Sequence, residues 1–324
     1  MAKLKKQHMT IHWKAIVQDD SSIPATEATL KEKATLVGRI GLMMLSVGTG
    51  AWRGRNSMNK VSRCLGITCT ADIGLLAISY TCIEGTDTYT QSISLPTTGV
   101  NTHKLMELEL FMKEFPDKVS TCSVKHIHEV LDEIQKFPAN YKAWNLGLAS
   151  ALACGAFTFL LGGGPVEMCC AFLGAGVGNF VRKKMLGHSI SLLANVAVSV
   201  AASCLVYVLT ILLAQSLLSV SAVHQAGYIC AMLFVIPGFP LITGGIDLAK
   251  LDLRSGLERV SYALLIILTA TMTGWATAAI CQFQPADFEP LQLQKWTLLC
   301  FRLITSFCGV YGFSLMFNSP RKMA

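Results

Sequence analysis

Residues 189–215 read SISLLANVAVSVAASCLVYVLTILLAQ, 27 residues without one Asp, Glu, Lys or Arg. A helix needs about 20 predominantly apolar residues to cross the hydrocarbon of a bilayer, so this run predicts a membrane-spanning helix. Working outward, apolar stretches at 144–161, 165–181, 222–243, 257–281 and 296–317 predict five more. The upstream sequence differs in kind. Residues 1–142 hold 17 Lys and Arg plus 14 Asp and Glu, whereas residues 143–324 hold only 10 plus 6. Over the whole chain 15% of residues are charged, against about 25% in a soluble domain. The expected fold is therefore an α-helical polytopic membrane protein of about six transmembrane helices with an N-terminal α+β cytoplasmic domain. The expected divisions are 1–142 (with a flexible arm at 1–24), a five-helix membrane domain at 143–282, and a sixth helix within 283–324.

Loop charges set the expected orientation. Arg182, Lys183 and Lys184 follow the second crossing; Lys250, Arg254 and Arg259 follow the fourth; Arg321 and Lys322 follow the sixth. The alternate loops, 162–164, 216–222 and 282–294, carry no Lys or Arg, and the last holds Asp287 and Glu289. All basic clusters fall on one side, which the positive-inside rule makes cytoplasmic, together with both termini. The same rule accounts for the net charge of +7 without nucleic acid as a partner. Residues 1–10 are basic and polar with no apolar core behind them, so no signal peptide is expected. Cys154, Cys169, Cys170, Cys204, Cys230, Cys300 and Cys308 sit in apolar runs and read as packing residues, not as disulfides or metal ligands.

In the polar part, Thr26 to Val47 predicts a helix capped by Thr26, broken at Gly48-Thr49-Gly50 and followed by a second over Trp52 to Leu65. Thr68 to Ile83 and Thr88 to Leu95 predict two strands of an antiparallel hairpin around Glu84-Gly85-Thr86-Asp87. Asn101 caps a predicted helix to Phe115, and Ser123 caps another to Phe137, each stopped near a proline.

Ionisable and broken positions at membrane depth are the candidates for chemistry. Glu167 reads either as an acid at a helix N-terminus or as a proton or substrate site. Asp247 reads either as a helix cap or as a pathway acid. Pro237-Gly238-Phe239-Pro240 interrupts the fourth crossing; broken helices of this kind line substrate sites in secondary transporters. Asn195, Ser199, Ser203 and Thr210 form a polar stripe that glues helices or lines a path. Arg302 is a deep cation that snorkels, pairs with an acid or meets a partner. His126 and His128 read as surface or packing residues. No phosphate loop, nucleophile elbow, acid pair or His-x-x-x-His spacing points to an enzyme or to direct ATP drive.

The ordered segments Gly41-Leu42-Met43-Met44-Leu45-Ser46-Val47-Gly48-Thr49-Gly50-Ala51-Trp52-Arg53, Gly99-Val100-Asn101, Leu131-Asp132-Glu133-Ile134 leading to Pro138 and Tyr141, Phe159-Leu160-Leu161-Gly162-Gly163, Pro237-Gly238 with Asp247, and Ser255-Gly256-Leu257-Glu258-Arg259 resemble the threonine/serine exporter family of bacterial inner-membrane transporters. The resemblance covers about residues 36–282. It implies a cytoplasmic domain plus about ten membrane helices, in one chain or split between two partner proteins. Residues 312–321 resemble the first helix of the family's second half, so a second-half membrane partner, a homo-oligomer or both are expected. The departures are Arg55 where the family usually has an acid, Ile246 where an arginine often stands, and Glu167 in place of aspartate.

The resemblance implies proton-coupled export of threonine or serine, with no cofactor beyond the proton gradient. Asp247 and Glu167 would exchange protons, and backbone near Pro237, Gly238 and Pro240 would hold the zwitterion, with Asn195 beside the path. Arg53, Gly99 and Asn101 carry the cytoplasmic-domain motif; Ser255, Gly256 and Arg259 carry the loop motif. The alternatives are export of a small dicarboxylate such as succinate, and a non-transporting membrane scaffold or sensor. A dicarboxylate site calls for additional cations.

Overall fold

The computed structural model describes residue 13 and residues 23–95, 98–186, 188, 190–218, 222–283, 288 and 291–324. The expected arm at 1–24 and the acids Asp287 and Glu289 lie almost wholly outside these residues. The chain forms two compact units: Met1–Pro138 with Gly238–Tyr262, and Ala139–Pro237 with Ala263–Ala324.

The first unit is built on α1 (Leu30–Ser46) and α2 (Ala51–Cys64) against a three-stranded antiparallel sheet, β1 (Thr68–Ile73), β2 (Ala77–Glu84) and β3 (Asp87–Ser94), in the order β1-β2-β3. Thr29, not Thr26, caps α1: its hydroxyl accepts from the Glu32 N–H while the Glu32 carboxylate accepts from the Thr29 N–H, a reciprocal box. The expected strand over Thr68 to Ile83 is two strands. Gly74, Leu75 and Leu76 turn the chain between them, and the Gly74 N–H closes the turn on the Ala77 carbonyl at 2.8 Å. Leu36, Val37, Ile40 and Met44 of α1 meet Ile78 and Tyr80 of β2 in one apolar core. Gly38 allows this contact, since a Cβ there would lie 2.2 Å from the Tyr80 hydroxyl.

Helix α3 (Thr102–Lys118) runs through Pro116 instead of stopping at Phe115. A proline inside a helix strips the carbonyl four residues back of its donor. That carbonyl belongs to Met112, and Lys60 Nζ replaces the missing donor at 2.6 Å. Helix α4 (Val124–Lys136) starts at Ser123, whose hydroxyl accepts from the His126 N–H, and ends before Pro138.

Arg39 is buried in this core. Its guanidinium ion-pairs with Asp132 and donates at 2.9 Å to both the His128 carbonyl and the His128 Nδ1. Burial, reinforced by the Arg39 charge, pulls the His128 imidazole down to about 3 from 6.5. Between those values the unfolded chain takes up a proton at this position and the folded chain does not. Stability should therefore be complete above pH 6.5 and fall toward pH 3, with a slope approaching about 1.4 kcal/mol per pH unit for one proton. Thermal unfolding of the purified chain from pH 7 to pH 4 should show this loss, and His128→Gln should flatten it.

The second unit holds α5 (Ala143–Leu160), α6 (Pro165–Met185), α7 (Leu192–Leu218), 3-10 turns at Ala222–Gly227 and Leu233–Val235 flanking a short α8 (Tyr228–Ala231), and α11 (Lys295–Met316). Helix α9 (Gly238–Ala249) lies in the first unit, while α10 (Leu253–Ile280) begins in the first and continues through the second. The fourth expected crossing is thus not one helix: the chain breaks at Ile236-Pro237, and its two pieces belong to different units. The carbonyls loosened before the break are met by protein donors, Ala231 by Ser203 Oγ at 2.7 Å and Phe234 by Arg182 at 3.2 Å, as membrane depth requires.

Small residues set the helix spacing in this unit. A Cβ on Gly147 would sit 3.0 Å from the Gly176 carbonyl, one on Gly174 2.8 Å from that of Ser203, and one on Gly312 2.6 Å from that of Ala149. Polar side chains join helix ends. Asn179 donates to the Leu146 carbonyl at 2.8 Å, Asn195 to that of Arg182 at 3.3 Å, and Asn140 to that of Asn318 at 2.9 Å. The starts of α5 and α7 and the ends of α6 and α11 therefore share one end of the unit.

Among the described residues, four helices are long and apolar enough to cross a membrane, namely α5, α7, α10 and α11, or up to five if the broken pair is one span. Helix α6, counted in the sequence among six, is outside this group. Its 21 residues include Glu167, Arg182, Lys183, Lys184 and three glycines.

Candidate functional site

The first unit gathers motifs that lie some 200 residues apart in the chain. Helix α1 ends in a turn at Gly48-Thr49-Gly50. Thr49 Oγ1 donates to the Met44 carbonyl at 2.9 Å. Gly48 adopts φ +92°, and a Cβ there would approach the Gly99 carbonyl to 2.9 Å. A residue with a side chain would be strained on both counts. Gly50 then opens α2 with no side-chain cap of its own.

Asp247 of α9 supplies the cap. Its Oδ2 accepts from the Ala51 N–H at 3.0 Å and from Ser255 Oγ at 2.9 Å, and lies 3.2 Å from Arg259 Nε. Arg259 also donates to Ser255 Oγ at 3.1 Å and to the Thr49 carbonyl at 2.7 Å. Asp247 is 0% exposed and Arg259 2%. The positive end of the α2 dipole and the guanidinium both stabilise the carboxylate. Asp247 Oδ1 has no hydrogen-bond partner among the described residues. It faces Gly50, where a Cβ would stand 2.8 Å away. Gly256 brings α9 and α10 together, since a Cβ there would meet the Leu248 side chain at 2.6 Å.

A ring of polar contacts surrounds this pair. Arg55 grips Asp252 with two bonds, at 2.7 and 3.0 Å, and donates from Nε to the Ala71 carbonyl at 3.1 Å. The Asp252 hydrogen bond raises the Arg55 guanidinium further above its ordinary value. Lys250 Nζ lies 4.5 Å from the centre of the Trp52 ring. Glu258 accepts from the Leu75 N–H at 2.6 Å, and Arg254 pairs with Asp72 and Glu258. Five elements, α1, α2, β1, α9 and α10, and the turn between β1 and β2 are fastened here.

The expected site residues separate into two groups. Asp247, Ser255, Gly256 and Arg259 converge with Gly48 to Ala51, and the Gly99 carbonyl adjoins the same turn. Asn101 caps α3 through the Lys104 N–H at 3.1 Å, and its own N–H reaches the Val47 carbonyl at 3.3 Å. Arg53 points elsewhere, to Glu109 of α3, and both are about 40% exposed. Glu167 and Asn195 belong to the second unit. Glu167 is buried at the start of α6, where Oε2 accepts from the Gly164 N–H at 2.9 Å. Pro237 ends a stretch of the second unit, and Gly238 and Pro240 begin α9 in the first. Cys154, Cys170, Cys204 and Cys230 are buried, whereas Cys169 and Cys300 are exposed.

Sequence reasoning missed Asp252 and Glu258, which are ordinary loop and helix acids until their partners are known. It also missed Asn179, fully buried in α6. The one available signal was an amide in the small-residue run Gly174 to Phe180.

Two relatives with names are both called "Probable succinate transporter subunit YjjP". The protein from Klebsiella aerogenes is 25% identical over 218 residues, 66% of this chain and 80% of the relative. The one from Escherichia coli K12 is 24% identical over 237 residues, 72% of this chain and 88% of the relative. No solved structure matches. The ThrE family model, described as "Putative threonine/serine exporter", matches residues 35–281. That span takes in the Gly48 turn, Asp247 and Arg259 alike, and the chain belongs to the threonine/serine exporter family of multi-pass membrane transporters.

Proposed function

We propose that this chain is the substrate-binding half of a secondary exporter that moves threonine or serine outward in exchange for protons. The observation that carries the reading is the interior of the second unit. Among its described buried residues, Glu167 is the one carboxyl, it is accompanied by Ser150, Thr158, Asn179, Asn195, Ser199 and Ser203, and there is no buried Lys or Arg. Hydroxyls and amides suit a small neutral zwitterion, and one carboxyl suits one proton. A dianion would require cations at that depth.

In this reading α6 joins the four long helices and the broken pair as a sixth crossing. The end of the second unit where α5 and α7 start bears Arg182, Lys183, Lys184, Arg321 and Lys322 and faces the cytoplasm of the cell, across its inner membrane. Residues 1–142 form the cytoplasmic α+β domain, 143–282 the membrane domain, and the helix within 283–324 leads toward a second-half partner. The pathway residues are Glu167 and Asn195, with Pro237, Gly238 and Pro240 as the hinge of the broken crossing. Asp247 and Arg259 act as the clasp that fastens the Gly48-Thr49-Gly50 turn to α9 and α10. The chain performs no covalent chemistry.

Succinate export is the second reading, favoured by the names of the two relatives. Flux of labelled threonine, serine and succinate through vesicles containing the chain and a second-half partner separates the two. The leading reading expects threonine or serine flux that excess succinate leaves unchanged. Flux of succinate alone would replace it with the second.

A further inference from the structure

Two hollows in the first unit adjoin one another on the Ser46-Val47 side of the Gly48 turn. One, of about 80 Å³, is lined by Arg39, Ser46, Lys104 and Gln135 among others; the second, of about 380 Å³, is lined by Ser46, Gly99, Asn101 and Lys104 among others. Ser46, Val47 and Lys104 belong to both. Among the described residues the combined wall contains two cations and no Asp or Glu.

Arg39 is paired with Asp132, yet each cation keeps donor capacity. Lys104 Nζ donates to the Gln135 carbonyl at 2.6 Å, and no carboxylate among the described residues reaches it. Partial burial lowers its ammonium from the ordinary value, which reflects the cost of holding that charge without a counter-ion. Arg39 is 1% exposed, and its Nε has no hydrogen-bond partner among the described residues. The hollow also opens at the start of the 17-residue helix α3, whose dipole favours an anion. The larger volume falls in the range of small-molecule pockets, about 300–1,000 Å³.

We propose that this hollow is a binding site for a small carboxylate metabolite, held by the Lys104 ammonium and the amide of Gln135, with the Arg39 guanidinium behind it. The site is separate from the transport path and gives the Gly99-Val100-Asn101 motif a role of its own. The Lys104 ammonium, which no carboxylate among the described residues meets, suits one carboxylate group of such a molecule, and the open side of the hollow leaves a second one in water.

Hydrogen exchange on the purified full chain in detergent tests the site, with succinate as the probe and inorganic phosphate as the control. At about ten times its Kd, succinate should slow exchange about tenfold in residues 39–47 and 98–104. Lys104→Arg should keep this protection, and Lys104→Gln should lose it. No protection by succinate, equal protection by phosphate, or protection that persists in Lys104→Gln would overturn the proposal. Wild-type exchange decides the matter even if a variant does not fold. Transport is read separately: flux without protection removes this site alone, and protection without flux leaves it standing.

Discussion

Asp247→Ala should destabilise the chain by about 3–5 kcal/mol, the cost of leaving a buried partner charge uncompensated. Arg259 would keep its bond to the Thr49 carbonyl but lose its counter-ion. The Ala51 N–H and the Ser255 hydroxyl would lose their acceptor, and α2 would start uncapped. A second substitution, Arg259→Leu, removes the stranded charge, so the double variant should recover much of the loss. Unfolding temperatures of the four proteins in detergent form the cycle. Losses that simply add would mean that the two side chains do not act on one another. Gradient-driven flux should fail in Asp247→Asn as well, because an amide cannot balance Arg259.

The second large effect belongs to Glu167. Glu167→Gln keeps an oxygen able to accept from the Gly164 N–H, so its cost in stability should stay within about 1 kcal/mol, the worth of a charge at a helix terminus. Gradient-driven flux should nonetheless fall to the background of empty vesicles, because glutamine carries no exchangeable proton. Exchange of labelled for unlabelled threonine, which needs no net proton movement, should persist. If net flux survives at the wild-type rate, Glu167 is a helix cap and the proton moves elsewhere.

The two substitutions test different kinds of legibility. The run at 189–215 declares its solvent because lipid accepts so few sequences, and α7 occupies it from Leu192 onward. The caps at Asn101 and Ser123 were equally local and equally visible. Contacts made at long range were not. The turn at Gly74 is held by Glu258, 183 residues away, so the strand over Thr68 to Ile83 looked continuous. Pro116 reads as a helix stop until Lys60 is known to sit on the Met112 carbonyl. The α1 cap at Thr29 is legible, since Glu32 completes the box; Thr26, two residues after Pro24, is the competing cap in the sequence.

The candidate site divides in the same way. Asp247 and the Ser255 to Arg259 segment were each visible as unusual residues beside apolar helices. That both close on the Gly48-Thr49-Gly50 turn depends on tertiary packing, and above all on Gly256 letting α9 approach α10. The two bonds from Arg55 to Asp252 give it a local role. The interior of the second unit was half legible: Asn195, Ser199 and Ser203 formed a stripe, whereas Asn179 was hidden among small residues.

The central claim is gradient-driven movement of a small amino acid. Its most direct test is proteoliposomes holding this chain and a second-half partner, loaded with labelled threonine and given an imposed pH gradient. Threonine should leave faster than from protein-free vesicles, and the excess should vanish when a protonophore collapses the gradient. Identical release with and without the gradient, for threonine, serine and succinate alike, would contradict the account.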